Sequence, residues 1–145
     1  MKKRVMFLCT GNACRSQMAE GWLRFLAGDR YEVASAGIEA HGLNPDAVLV
    51  MAEAGVDISS QTSDILQPED LQQMDLLITV CGHADQSCPS VPANCVKLHW
   101  PFPDPAQASG SREAVLLAFR DVRDQIGDRI RDFLGSDDLE THRQT

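Results

Sequence analysis

The sequence predicts an α/β domain: a four-stranded parallel sheet flanked by helices on both faces. Three observations predict it. Four short apolar, β-prone runs, at residues 4–9, 31–36, 75–80 and 95–99, alternate with segments whose apolar residues recur at helical spacing. The first and third runs are almost continuously apolar, as strands covered on both faces are. The length of 145 residues, with 43% hydrophobic and 23% charged content, suits one soluble domain with a sizeable core. No internal repeat, low-complexity stretch or linker divides the chain. Residues 1–135 are therefore read as a single domain and residues 136–145 as a polar tail.

Taken in order, residues 4–9 form a central strand. From Ser16, the positions Met18, Trp22, Phe25 and Leu26 share one helix face, and Gly28 is the stop. Residues 31–36 are a second strand closed by Gly37. Asn44-Pro45 starts a helix, with an N-cap side chain followed by proline at the first helical position, and this helix runs to about Ala54 and Gly55. Pro68 opens a short helical segment over residues 69–74. After the third strand the chain enters Cys81-Gly82-His83-Ala84-Asp85-Gln86-Ser87-Cys88-Pro89, which reads as a polar loop. A fourth strand ends at His99, and Pro101, Pro103 and Pro105 then forbid regular structure and stiffen the chain. Val115, Phe119, Val122, Ile126, Ile130 and Phe133 line one stripe of a long helix that Gly135 is expected to end, with the tail beyond it frayed.

The chemistry is concentrated in Cys9-Thr10-Gly11-Asn12-Ala13-Cys14-Arg15-Ser16. A strand-to-helix turn of this kind aims backbone N–H groups inward, and the helix that follows adds its positive dipole end. Thr10, Gly11, Asn12, Ala13, Cys14 and Arg15 would thus surround an oxyanion, with the Arg15 guanidinium forking two hydrogen bonds onto it. The same field favours a thiolate at Cys9. Cys14 is expected to be a packed, inert thiol and His41 a loop residue. In parallel α/β folds ligands sit beyond the carboxyl ends of strands, so the loops after Leu8, Val80 and His99 are expected to converge.

Charge and cysteine usage narrow the possibilities. A net charge of -8 argues against a general nucleic-acid or acidic-membrane binder, so any bound anion needs a local site. The apolar run after Lys2-Lys3-Arg4 is too short for a signal peptide, and no stretch is long enough to span a bilayer. Five cysteines, an odd number, fit free or reactive thiols in a reducing cytoplasm better than a disulfide framework. A zinc site built from Cys81, His83, Cys88, Cys95 and His99 is the plain metal alternative, but the spacing lacks a close Cys-x-x-Cys pair.

The loop, extended through Gln17-Met18-Ala19-Glu20-Gly21, resembles the phosphate-binding loop of the low-molecular-weight tyrosine phosphatase fold. Asp104-Pro105 stands where that fold keeps its general acid. With Ser35-Ala36-Gly37, Thr62-Ser63-Asp64, His99-Trp100, Cys81 and Cys88, the chain resembles the thioredoxin-coupled arsenate reductases built on that fold, over roughly residues 4–134. Ala13 departs from the serine common in them. The resemblance implies that Cys9 attacks arsenate held by Arg15 and the loop amides, with Ser16 bonding the sulfur and Asp104 protonating the departing oxygen. It further implies a Cys9–Cys81 disulfide on arsenite release, its transfer to Cys81–Cys88, and resetting by thioredoxin. A dithiol becoming a disulfide supplies the two electrons that reduction needs, which suits a chain with no nucleotide or flavin fingerprint and no organic cofactor. Some members of the family hold potassium, and Asn12, Glu20, Ser35 and Asp64 match that site, although Gln61 replaces a histidine found in potassium-responsive members. A monomer is expected. The alternative is a phosphatase that uses Cys9, Arg15 and Asp104 to hydrolyse phosphate monoesters. Against it stand Ala106 and Gln107, where such phosphatases carry aromatic residues.

Overall fold

In the computed structural model, which describes the backbone of residues 2–144 and the side chains of residues 2–136, the predicted sheet forms. Strands β1 (Lys3–Cys9), β2 (Tyr31–Gly37), β3 (Leu76–Thr79) and β4 (Val96–His99) are all parallel, in the order β2-β1-β3-β4. β1 is central because Val5, Met6, Phe7, Leu8 and Cys9 are all buried. Successive strand residues point to opposite faces, so five in a row can be buried only if both faces are covered. Each such apolar side chain contributes about 1.5–3 kcal/mol. The strand order reverses at β1, whose neighbours β2 and β3 pair through the registers Cys9↔Gly37 and Leu8↔Thr79. That switch point opens a crevice beyond the C-terminal end of β1, and Cys9 sits at its edge.

Helices α1 (Arg15–Ala27), α2 (Pro45–Glu53) and α5 (Arg112–Gln144) pack against one another, with α3 (Pro68–Gln72) on the way to β3. On α5 the stripe of Phe119, Val122, Ile126 and Ile130 is buried, as the periodicity requires. Close approach of α1 and α5 depends on Gly127, where a Cβ would stand 3.0 Å from the Trp22 ring, while Trp22 Nε1 donates to the Arg123 carbonyl at 3.0 Å. Asn44 caps α2 by accepting from the N–H groups of Asp46 at 2.8 Å and Ala47 at 3.3 Å. Gly55, at φ +84°, turns the chain away after it.

Two expectations need correction. Residues 82–87 form a short helix, α4 (Gly82–Ser87), rather than a loop. Its only buried residue is Ala84, so it has no apolar stripe to read; the Cys81 sulfur caps it by accepting from the Ala84 N–H at 3.4 Å. Gly135 does not end α5, whose backbone stays helical to Gln144. An interior glycine costs a helix only about 1 kcal/mol, which a long packed helix absorbs. The side chains of the tail expected to fray, from residue 137 on, lie outside the described residues.

Replacing Asn44 by Ala leaves two N–H groups of α2 uncapped. It should lower unfolding free energy by about 1 kcal/mol in a denaturant titration. The Asn44 backbone N–H that bonds the Ala13 carbonyl at 3.0 Å is untouched, so activity should stay near that of the parent.

Candidate active site

The loop between β1 and α1 owes its shape to its carbonyl groups, each of which is turned outward onto a partner. Cys9 O accepts from the Ile38 N–H at 3.2 Å, Thr10 O from Glu39 at 2.8 Å, Gly11 O from His41 at 2.8 Å and Ala13 O from Asn44 at 3.0 Å. Cys14 O takes the Met18 N–H at 2.9 Å. The remaining carbonyl, of Asn12, accepts from Gln17 Nε2 at 3.0 Å. A trans peptide holds its N–H opposite its C=O, so outward carbonyls aim the following N–H groups at the crevice. With the N-terminus of the thirteen-residue α1 beneath them, these amides line an inward-facing cradle, the geometry that an oxyanion site requires.

Asn12 is the pivot of the turn. It is the one non-glycine residue at positive φ among the described residues, at 48°, a region Asn tolerates better than most residues. Its fully buried side chain donates to Ser16 Oγ at 2.8 Å and Ser35 Oγ at 2.9 Å, and accepts from the Asp64 N–H at 2.8 Å. Ser16 Oγ in turn lies 2.8 Å from Cys9 Sγ. Gly37 completes the support: a Cβ there would stand 2.8 Å from the Asn12 nitrogen and collide with the Glu39 carbonyl. Gln17, whose part the sequence did not reveal, is fully buried and ties the Asn12 carbonyl to that of Thr62, at 2.8 Å. A glutamine on the buried face of an amphipathic helix was the available signal.

Asn12, Glu20 and Ser35, three of the four expected potassium ligands, are joined, but the arrangement does not fit the ion. Ser35 Oγ donates to Glu20 Oε1 at 2.6 Å, and the Arg24 guanidinium pairs with the other Glu20 oxygen. Arg24 also donates to Gln61 Oε1 at 3.0 Å and to the Val33 carbonyl at 2.8 Å. Asn12 presents its NH2 group to Ser35 and has its oxygen taken by Asp64, whose carboxylate accepts from Thr62 Oγ1 at 2.6 Å. Glu20 already has a cation of the chain's own, and the oxygens an ion would need are engaged.

The cradle opens into a cleft of about 540 Å³ whose walls include Arg15, His41, His83, Asp104, Ala106 and Gln107. Arg15 is held by the Phe102 carbonyl at 3.1 Å and faces Asp104 Oδ2 at 3.7 Å. The Asp104 Oδ1 caps the single 3-10 turn Pro105–Gln107 by accepting from the Ala106 N–H at 3.0 Å, which fixes the carboxyl at the cleft wall. Cys81 Sγ, buried, lies 3.2 Å from Thr10 Oγ1, so the second thiol is seated against the loop itself. Cys88 is half-buried at the far end of α4. His41, a loop residue as expected, lays its exposed ring beside Gly11 and lines the cleft. His83 enters the same cleft from the first turn of α4.

Other expected residues stand apart. His99 lies behind α4 at Thr79, and Cys95 precedes β4 in the core. All five cysteines are free thiols, and no cluster of three His, Cys, Asp or Glu suited to a metal occurs among the described residues. Nor is any helix among them long and apolar enough to cross a membrane. Burial, followed by the charges of Asp104 and Cys9, pushes the Cys14 thiol up to about 12. Cys14 is the packed, protonated thiol its position suggested.

A cysteine, a loop of inward amides, an arginine and a facing carboxyl stand together at the switch point of a parallel sheet, on a phosphatase-like α/β fold. The chain matches the low molecular weight phosphotyrosine protein phosphatase family over residues 4–145, and it belongs to that family. It is 57% identical over 132 residues to an arsenate reductase of Halalkalibacterium halodurans, spanning 91% of this chain and 95% of that one. Among solved structures it resembles an arsenate reductase in a phosphate-binding state, with TM-score 0.76 and 34% identity, covering 92% of this chain and 98% of the other. It also resembles a thioredoxin-dependent arsenate reductase of Corynebacterium glutamicum, with TM-score 0.77 and 28% identity, over 96% of this chain and 63% of that one.

Two outcomes follow from the site. A thiol held protonated is a poor nucleophile, so iodoacetamide at pH 8.5 should leave Cys14 unmodified in the folded protein and alkylate it once denaturant is added, as read by peptide mass spectrometry. Because Arg24 already occupies Glu20, melting temperatures in equal concentrations of potassium and sodium chloride should agree within a degree.

Proposed function

We propose that the protein reduces arsenate to arsenite through a cysteine adduct and an intramolecular disulfide relay, and that thioredoxin resets it. The observation that carries this reading is the seat of Cys81: a second thiol, buried and 3.2 Å from Thr10 Oγ1 of the oxyanion loop. Hydrolysis of a phosphate ester has no use for a thiol there, whereas two-electron reduction requires one. Relatives of more than half identity that are arsenate reductases support it, and so does a thioredoxin-dependent structural neighbour.

The residues divide the work as follows. The loop amides and Arg15 hold the arsenate oxyanion, and Asp104 lies across from Arg15 as proton donor. The Cys9 thiolate attacks arsenic, an oxygen leaves as water with the Asp104 proton, and a sulfur–arsenic bond forms. Ser16 Oγ, held by Asn12 at 2.8 Å, donates to the Cys9 sulfur whenever it carries charge. The Cys81 thiolate then attacks Cys9 Sγ. The new S–S bond forms as the sulfur–arsenic electron pair passes to arsenic, which departs as arsenite. Cys88 next displaces Cys9 from Cys81, and the Cys81–Cys88 disulfide takes two electrons from the dithiol of thioredoxin. Cys88, half-buried, is nearer to solvent than either other member of the relay.

The cleft also suits a small inorganic anion. Ala106 and Gln107 line the wall where an aromatic substrate would need stacking partners. Tyr31, the only tyrosine, is buried against Phe133, with ring centroids 6.0 Å apart.

Thiol mass spectrometry on arsenate-treated protein tests the reading. The parent should carry a Cys81–Cys88 disulfide, and the Cys88→Ser variant should trap Cys9–Cys81 and lose turnover with thioredoxin. Free thiols throughout, together with rapid hydrolysis of p-nitrophenyl phosphate, would assign the site to phosphatase chemistry instead.

A further inference from the structure

Cys81 and Cys88 bracket α4 as its N-cap and C-cap residues. Seven residues at about 1.5 Å each hold their Cα atoms roughly 10 Å apart. A disulfide needs about 4.4–6.8 Å. The two thiols therefore cannot bond while α4 is wound, so the helix must open for the relay proposed above to proceed. What holds it closed is the pertinent question, since a six-residue helix has little stability of its own.

Besides the buried Ala84, a polar side chain fastens α4 to the sheet. Asp85 Oδ1 accepts from Thr79 Oγ1 at 3.0 Å and pairs with Lys97 Nζ at 3.2 Å, and the same ammonium reaches the Asp85 carbonyl at 3.1 Å. His99 Nδ1 lies 2.8 Å from Thr79 Oγ1 and 3.7 Å from Asp85 Oδ1. With Nδ1 protonated, His99 donates to Thr79 and Thr79 donates to Asp85, a chain in which each bond polarises the next. Thr79 is fully buried at the end of β3, and Lys97 and His99 lie on β4. Lys97 first, then Thr79, holds the Asp85 carboxyl below the usual carboxylate range. None of these four residues takes part in the proposed catalytic steps.

We propose that Asp85 is the positioning residue of the redox helix. It latches α4 to β3 and β4, keeps Cys81 against Thr10 while the Cys9 adduct is resolved, and releases as Cys88 attacks Cys81. In that exchange the Cys81–Cys88 bond forms, the Cys9–Cys81 bond breaks, and Cys9 leaves as a thiolate with no net change in electrons. The latch stabilises the dithiol form alone. It therefore makes the Cys81–Cys88 disulfide easier for a dithiol to reduce.

The proposal rests on the relay, and one experiment separates the two. In Cys9→Ser protein equilibrated with glutathione and glutathione disulfide, the fraction of Cys81–Cys88 disulfide is read by peptide mapping. Asp85→Asn should shift the equilibrium about tenfold toward the disulfide, about 30 mV for a two-electron couple, and Asp85→Glu should restore most of it. Lys97→Gln, at an exposed edge-strand position, should shift it the same way and reads the latch even if Asp85→Asn does not fold. Equal disulfide fractions in the parent, Asp85→Asn and Lys97→Gln proteins would overturn the latch while leaving the relay intact. Absence of any Cys81–Cys88 disulfide in the Cys9→Ser parent would overturn the relay and the latch with it.

Discussion

What the cleft offers an anion depends on the left-handed turn at Asn12 and the hydrogen bonds that hold it there. A φ of 48° carries a cost for any side chain, and three side-chain bonds to Ser16, Ser35 and Asp64 offset it. The turn rotates the peptide planes of the loop so that their carbonyls meet residues 38–44, Gln17 and α1. Only then are the amides left facing inward. The same Asn12 amide orients the Ser16 hydroxyl that touches Cys9, so the cradle and the Cys9 thiol share one support.

This support explains how an acidic protein can offer an anion a local site. A net charge of -8 repels arsenate and phosphate at long range, where salt screens it. Inside the cleft the inward amides, the end of α1 and Arg15 act at hydrogen-bond distance, and local terms dominate there. Asp104 is fixed at the wall of the cleft, with its Oδ1 accepting from the Ala106 N–H and its Oδ2 facing Arg15 at 3.7 Å. The cradle faces the cleft, and the carboxyl stands across it on the wall.

The five cysteines are sorted by surroundings rather than by spacing. Cys14 lies a short way along the chain from Cys9, yet burial and the neighbouring negative charges keep it protonated. Cys81 is buried but pressed against the loop, Cys88 is half-buried at the end of α4, and Cys95 lies in the core beside β4. The family alone leaves hydrolysis and reduction both open, since a nucleophile, an arginine and an acid serve either. The placement of Cys81 supports the proposed reduction, and in that proposal the wound helix between Cys81 and Cys88 has to open.

Strands, the central helix starts and the oxyanion loop were legible in the sequence because each is a local pattern. Five apolar residues in a row make β1, Asn44-Pro45 makes an N-terminus, and cysteine to arginine across five residues makes a cradle. The sequence by itself thus determined the fold class and the place of Cys9 and its loop, while the resemblance pointed to Asp104, Cys81 and Cys88. Only the tertiary structure decided the rest. α4 has one buried residue and no periodicity, and it is held by contacts to Thr79, Lys97 and His99 from other strands. Arg24 occupies Glu20 because α1 places them one turn apart, while Val33 and Gln61 arrive from elsewhere to bind the same guanidinium. His41 and Gln17 acquire their places only when residues 38–44 and 62 close around the loop. Periodicity along a chain records which face is apolar; it carries no record of which distant polar group will complete a hydrogen bond.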